Sequence, residues 1–342
     1  MKAAALVGPG RIELIERPNP GPLGNGQVLL EVKMVGICGS DIHYFETGRI
    51  GDAKVSYPFV LGHEFAAVVK EVGPGVDRPR PGDTVAVDPA ISCRECDQCN
   101  AGRFHTCRRL RFLGCPGQAE GCLCQYVVMP SHCCFVVPDG LDIRDAVLTE
   151  PLSIAVYAID RAGLKPGMDV ATLGAGPIGL CCLQVARAIG AGRCLVTDLL
   201  DCRIEAAGAH GADWAGRPEG LSQAVSRLAP AGLDVVLEAA GQQAAIDQAI
   251  GILRPGGVLA VIGIPRTDRI YINIHTARRN EVDIVNIRRQ NNCTQRAIDL
   301  IGDGKVEVGF MATHTFTLSQ CQQAFELVAG YKDGVIKAMV RL

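Results

Sequence analysis

The hexapeptide Gly174-Ala175-Gly176-Pro177-Ile178-Gly179 constrains this 342-residue chain more than any other stretch. A G-x-G-x-x-G string alone decides little. Here the apolar segment Asp169-Val170-Ala171-Thr172-Leu173 leads into it and a helical pattern runs from it toward Gly190. A second apolar segment, Cys194-Leu195-Val196-Thr197, ends at Asp198, nineteen residues past Gly179. Strand, turn, helix and strand in that order are the placement a dinucleotide needs. Glycines at such a turn let the backbone approach a pyrophosphate, the helix N-terminus faces its charge, and the acid accepts the adenosine ribose hydroxyls. A carboxylate at 198 repels a 2′-phosphate, so the pattern favours NAD over NADP. Arg203 is the nearby residue that could help accept NADP.

Strand signals continue at 234–238, 257–262 and 283–287, each running into a turn: Ala239-Ala240-Gly241, Gly263-Ile264-Pro265 and Arg288-Arg289. That is the text of a doubly wound parallel sheet, in which ligands collect at the carboxyl ends of strands. Ile262, Gly263, Ile264, Ile287, Arg288 and Arg289 thereby join the glycine turn, Asp198 and Arg203 as cofactor-side candidates. Residues up to about 92 read differently. Short apolar or alternating segments at 27–35, 66–72 and 84–87, broken by Gly and Pro, predict an all-β region. Between the two lies 145–162, a helix or pair of helices in which Pro151 interrupts one apolar face. Helical patterns near 294–303 and 319–330 and a strand over 335–342 are too few for a domain, so the chain end is expected to return and complete the first one.

Two sets of metal-ligating residues stand in the β-rich part. Cys93, Cys96, Cys99 and Cys107 follow the spacing C-x2-C-x2-C-x7-C, which can wrap one ion in four sulfurs and leave no open position, a structural site. Ferredoxin-type spacing ends in x3-C-P instead, so zinc fits better than an iron–sulfur cluster. The second set is Cys38, within Gly36-Ile37-Cys38-Gly39-Ser40-Asp41-Ile42-His43, and the pair His63-Glu64 after Gly62. A thiolate, an imidazole and a carboxylate leave one tetrahedral position open, which could hold a substrate hydroxyl whose pKa the metal lowers. Ser40 and His43 place a hydroxyl and a second imidazole alongside, able to carry a proton away. Taken singly, a buried Cys or a His-Glu pair is more often a packing or loop feature; it is the combination that points to a catalytic zinc.

Composition sets the outer limits. With 48% apolar and 20% charged residues and a net charge of −2, the chain has material for two cores and no basic footprint for nucleic acid. The apolar charge-free run 170–186 contains three glycines, Pro177 and Gln184. It falls short of the roughly 20 apolar residues a membrane span needs. Sixteen cysteines without a secretory pattern, since Gly8-Pro9-Gly10 cuts the first apolar run short, lead to an expectation of the reducing cytoplasm.

With these motifs in this order, the chain resembles the zinc-containing medium-chain dehydrogenases from end to end, and most closely their polyol, sorbitol dehydrogenase-like branch. The strings that carry the resemblance are 35–44, Thr47-Gly48-Arg49-Ile50-Gly51, Leu61-Gly62-His63-Glu64, Glu150-Pro151-Leu152-Ser153 and 174–179. The resemblance implies an α/β chain: a GroES-like β-rich catalytic domain over 1–152 with a structural zinc lobe at 93–107, a Rossmann NAD-binding domain over 153–287, a return over 288–342, and an active site in the cleft. It also implies a catalytic zinc held by Cys38, His63 and Glu64, with Glu150 ligating it directly or holding its water. Alcohol dehydrogenases proper have a Cys at that position, so the shell here would be richer in oxygen. Asp41 matches the partner that fixes the tautomer of His63, and Ser40 and His43 match a proton relay. Tyr44, Phe112, Glu150 and Arg289 match polyol-pocket positions, while Gln290 stands where typical sorbitol dehydrogenases have Tyr.

The implied reaction is hydride transfer from a secondary alcohol of a small polyol or sugar acid to NAD, with catalytic and structural Zn2+, in a homotetramer or homodimer. Aldose and threonine dehydrogenases are the nearest alternatives, though threonine enzymes carry Asp-Pro where this chain has Glu150-Pro151. A non-catalytic nucleotide-binding relative is an alternative of another class, and retention of every metal and relay position argues against it.

Overall fold

The structure, a computed structural model, describes residues 1–342. Alternating half-buried and buried side chains make Gln27–Gly36 the central strand of a seven-stranded sheet. The sheet order is Cys134–Val136, Thr84–Val87, Glu64–Val72, Gln27–Gly36, Lys337–Arg341, Ala312–Thr317, and Tyr126–Pro130 also pairs with Gln27–Gly36. Pairing is antiparallel except between Ala312–Thr317 and Lys337–Arg341. The end of the chain thus lies beside the spine strand, with Met339 opposite Gly36. Fully buried Leu6, Leu30, Leu61, Phe65, Met129 and Phe325 fill the core, each contributing about 1.5–3 kcal/mol by leaving water.

The second sheet has six parallel strands in the order Trp214–Gly216, Cys194–Thr197, Val170–Leu173, Leu233–Glu238, Leu253–Val261, Asp283–Asn286. Val170–Leu173 and Cys194–Thr197 are buried along their whole length, which is why they read as unbroken apolar runs rather than as alternation. The strand order reverses between Val170–Leu173 and Leu233–Glu238, where such sheets take their ligands.

The chain divides into two compact units: 1–150 with 294–303 and 308–342, and 151–293 with 304–307. Residues 288–293 cluster with the parallel sheet, not with the returning segment. No break occurs at Pro151, since Ile143–Ala162 is one helix. The missing N–H and ring clash cost about 3 kcal/mol, and burial of Leu148, Leu152, Ala155, Val156 and Ile159 along the same helix offsets that. No helix is long and apolar enough to cross a membrane.

Candidate active site

Directly after the spine strand a helix begins, Gly39–Thr47, with Cys38 as its N-cap. The sulfur therefore sits at the N-terminal end of a short helix. Asp41, in the first turn, is 1% exposed. Its Oδ2 accepts the Cys38 N–H at 3.1 Å, and its Oδ1 accepts the Gly62 N–H at 3.2 Å and lies 3.5 Å from His63 Nδ1. One carboxylate thus fastens both ligand loops and addresses the imidazole, the pairing that holds a metal-binding histidine in one tautomer.

Cys38, His63 and Glu64 come together, their ligand atoms within 4.8 Å of one another. Glu64 faces Gly36 across the ladder. A Cβ at position 36 would stand 2.6 Å from Glu64 Oε2, so the carboxylate needs a glycine there. The donor set of one sulfur, one nitrogen and one oxygen, with His63 and Glu64 buried, suits zinc with a position left open. Phe112 covers the imidazole, ring centroids 5.3 Å apart. Burial works against a charged His63, but the charges of Asp41 and Cys38 outweigh it and hold the metal-free ring well above the ordinary histidine pKa.

Glu150 stands outside this three-residue set. It is buried in the helix Ile143–Ala162, and burial pushes its carboxyl up to about 7, with His63 drawing it back and Glu64 adding to the rise. Ser40 Oγ donates to Cys38 Sγ at 3.3 Å, and His43 lies half-buried three residues along the same helix. Tyr44 is buried there too, its hydroxyl 3.7 Å from Cys115 Sγ.

Sequence reasoning passed over Lys337. Its Nζ lies 2.9 and 2.6 Å from the two oxygens of Glu64 and donates to the Ile37 carbonyl at 3.2 Å, with the residue 2% exposed. The signal was available: one ammonium inside the apolar run Val335-Ile336-Lys337-Ala338-Met339-Val340 requires a buried partner.

The four sulfurs of the cysteine lobe lie together. Sulfur separations are 3.9 Å for Cys93–Cys99, 3.6 Å for Cys96–Cys99 and 3.9 Å for Cys96–Cys107. A tetrahedron of bonds about 2.3 Å long has edges of about 3.8 Å, so the cage fits zinc. Backbone N–H groups of Cys93 and Arg109 point at Cys107 Sγ, at 3.2 and 3.4 Å. The Cys93 thiol is pulled down to about 6, chiefly by the backbone N–H of Glu95.

In the second unit Gly176 caps the helix Pro177–Ala188, with Pro177 and Ile178 opening it. A Cβ on Gly179 would stand 1.8 Å from the Gly174 carbonyl, so turn and helix approach as closely as glycine permits. Asp198 Oδ2 accepts the Ala175 N–H at 2.7 Å while Oδ1 accepts those of Leu199 and Leu200 at 2.8 and 3.0 Å. Arg203 leans toward the same carboxylate, Nη1 to Oδ2 3.8 Å. Ile262 and Gly263 donate to the Glu238 carbonyl and Ile287 to that of Val261, while Ile264 and Arg288 are exposed. Arg289 has a left-handed backbone, φ 55°. Gln290 is 6% exposed and its Oε1 accepts the Cys293 N–H at 2.8 Å, so this side chain holds its own loop.

Residues 24–139 match the alcohol dehydrogenase GroES-like domain and residues 177–303 the zinc-binding dehydrogenase domain. The sorbitol dehydrogenase of Bacillus subtilis is 37% identical over 99% of this chain and 97% of its own length. The chain belongs to the zinc-containing medium-chain dehydrogenases. D-xylulose reductase A of Aspergillus oryzae is 34% identical to this dehydrogenase over 98% of the chain and 95% of its own. An alcohol dehydrogenase of Escherichia coli CFT073, crystallised with NADH, superposes with a TM-score of 0.91 at 29% identity and covers 100% of this chain and 99% of its own. The dehydrogenase is a zinc enzyme that uses NAD(H), on the α/β architecture its sequence predicts.

Proposed function

We propose that this dehydrogenase oxidises a secondary alcohol of a small polyol, of the sorbitol, xylitol or iditol kind, to the ketose, with hydride passing to NAD. The observation that carries the reading is the company of the Cys38, His63 and Glu64 set: one thiolate only, and a further buried carboxyl, Glu150, with its pKa raised to about 7. A carboxyl so placed can accept a hydrogen bond from a second substrate hydroxyl or hold a water. The named relatives act on sorbitol and xylulose. Bound zinc supplies Lewis-acid stabilisation of the developing oxyanion, worth several kcal/mol.

The protein's own part is to hold and to move a proton. Asp41 and Lys337 fix the ligand side chains. Ser40 is the hydroxyl nearest the Cys38 sulfur and takes the alcohol proton, and half-buried His43 passes it toward solvent. Tyr44, Phe112, Arg289 and Gln290 are the proposed substrate residues. Gly174, Gly176, Pro177, Ile178, Gly179, Asp198, Arg203, Ile262, Gly263, Ile264, Ile287, Arg288 and Arg289 are the proposed cofactor residues, with Asp198 selecting NAD.

A homotetramer is part of the same proposal. It is supported by Asp283–Asn286, an edge strand open to pairing, and by Tyr271 and Ile274, 73% and 64% exposed just before it. Sixteen cysteines, none in a disulfide, support the cytoplasm. The test is a panel of pentitols, hexitols, sugar acids, aldoses and L-threonine with NAD and NADP in parallel, followed by NAD(P)H absorbance. The highest kcat/KM is expected for a polyol with NAD. Preference for threonine or an aldose, or no turnover with any member, would sink the reading.

A further inference from the structure

Glu238 ends the strand Leu233–Glu238, inside the parallel sheet, and is fully buried. The reaction described above gives it no task. Its Oε1 accepts the backbone N–H groups of Ala240 at 2.9 Å and Gly241 at 2.6 Å. Its own carbonyl accepts those of Ile262 at 2.8 Å and Gly263 at 2.9 Å. One residue thus fastens the turns that follow two neighbouring strands.

Those turns touch backbone to backbone. A Cβ on Gly263 would lie 2.2 Å from the Gly241 nitrogen and 2.8 Å from Glu238 Oε2, and one on Gly241 would lie 2.7 Å from the Ile264 carbonyl oxygen. On the other side, a Cβ on Gly174, the first residue of the glycine turn, would meet the Ala240 nitrogen at 3.0 Å and the Ala239 carbonyl carbon at 3.1 Å. Three turns at the carboxyl ends of neighbouring strands therefore stack in contact, with the Glu238 side chain fastened to the middle one.

Glu238 Oε2 is buried with no hydrogen-bond partner, a costly state for an ionised carboxylate. Burial pushes this carboxyl up, against the lowering by the N–H groups of Gly241 and Ala240. Oε1 is the atom that carries the turn, and an amide of the same shape keeps that acceptor.

We propose that Glu238 is a positioning residue for the dinucleotide: its Oε1 holds the 239–241 turn between the glycine turn and the 263–264 turn, and so sets the backbone surface on which NAD(H) rests. This inference depends on the assignment of these turns to the cofactor. The experiment is titration of zinc-loaded enzyme with NADH by fluorescence, together with steady-state KM values for NAD and for the polyol, in Glu238→Gln, Glu238→Asp and Glu238→Ala. Gln keeps the acceptor and is expected to stay near wild type. Asp, one methylene short, and Ala should weaken NADH binding and raise the KM for NAD at least about tenfold, the scale of buried N–H groups losing their acceptor. The polyol KM and zinc content should hold. Wild-type NADH affinity in the Asp and Ala variants would overturn the proposal, as would an equal loss in Gln and Ala or a joint rise of both KM values. If Ala does not fold, the Gln and Asp pair decides. Wild-type enzyme that fails to bind NADH would instead overturn the cofactor assignment itself.

Discussion

In the lobe 93–107 four sulfurs come from fifteen consecutive residues, and the charged side chains around them, Arg108 with Asp97 and Arg109 with Glu95, are exposed. The site at Cys38 draws its ligands from two loops and its supports from Asp41 and from Lys337, the latter 300 residues beyond the Ile37 carbonyl it bonds, and Asp41, Glu64 and Lys337 are all at most 2% exposed. The first centre closes a short loop, satisfies itself locally and has no position left for chemistry. The second exists only once the sheet has brought the chain end beside Gln27–Gly36. Its buried charges burden the fold, and its three donors would leave a bound zinc one position open. In the proposed reading, closure gives a staple and incompleteness gives a catalyst.

Cutting one ligand from each centre should break the comparison most sharply. Cys38→Ser is expected to lower kcat/KM by at least about a thousandfold, about 4 kcal/mol of transition-state stabilisation, with NADH binding intact. Cys96→Ser should also drop the metal content from about two zinc per chain to about one, yet keep measurable turnover and make 93–107 the first site of proteolysis. Metal analysis, NADH absorbance and limited proteolysis check the pair. Equal loss of turnover in both variants would erase the distinction between staple and catalyst.

Lys337→Met comes next. Removing the ammonium leaves Glu64 a buried carboxylate without its counter-charge, which costs about 3–5 kcal/mol. Chemical denaturation should show that loss in metal-free protein and a smaller one in zinc-loaded protein, where the metal compensates Glu64. The double variant with Glu64→Gln should recover much of it. A Lys337→Met protein as stable as wild type without metal would mean that the pair is not structural support for the site.

What could be read from the sequence follows the same division between local and assembled. The cysteine spacing and the glycine turn were legible because their chemistry is set within one short segment each, and the parallel sheet followed because its buried strands are unbroken apolar runs. The Cys38 motif was legible as a donor set, but its helix Gly39–Thr47 was not: nine residues opening with Gly39-Ser40 carry too little periodicity, and Asp41 is needed to tie the N-cap. Lys337 stayed hidden because its partner is 273 residues away and only the antiparallel pairing of Lys337–Arg341 with Gln27–Gly36 delivers it. Pro151 left one helix or two open for the opposite reason, a strong local signal that packing along one helix overrides.

The smallest of these effects concerns Asp41. Asp41→Asn replaces one of two acceptor oxygens by a donor that must then face the N–H of Cys38 or that of Gly62, so the loops loosen and the imidazole loses its orienting charge. Changes of this kind typically cost about 10–100-fold in metal affinity. A second consequence runs the other way. In metal-free protein the Asp41 charge helps hold His63 well above its ordinary pKa, and zinc must displace that proton to bind. The variant lowers the ring pKa, so at acid pH it has fewer protons to displace and part of the deficit is recovered. As pH rises through the wild-type His63 pKa this recovery vanishes and the loss of orientation remains alone. Zinc transfer to a chromophoric chelator, followed at several pH values with the four-cysteine site as the internal reference, should show a deficit that grows with pH and then levels. A deficit independent of pH would reduce Asp41 to a loop fastener. One that shrinks as pH rises would remove it from the histidine altogether.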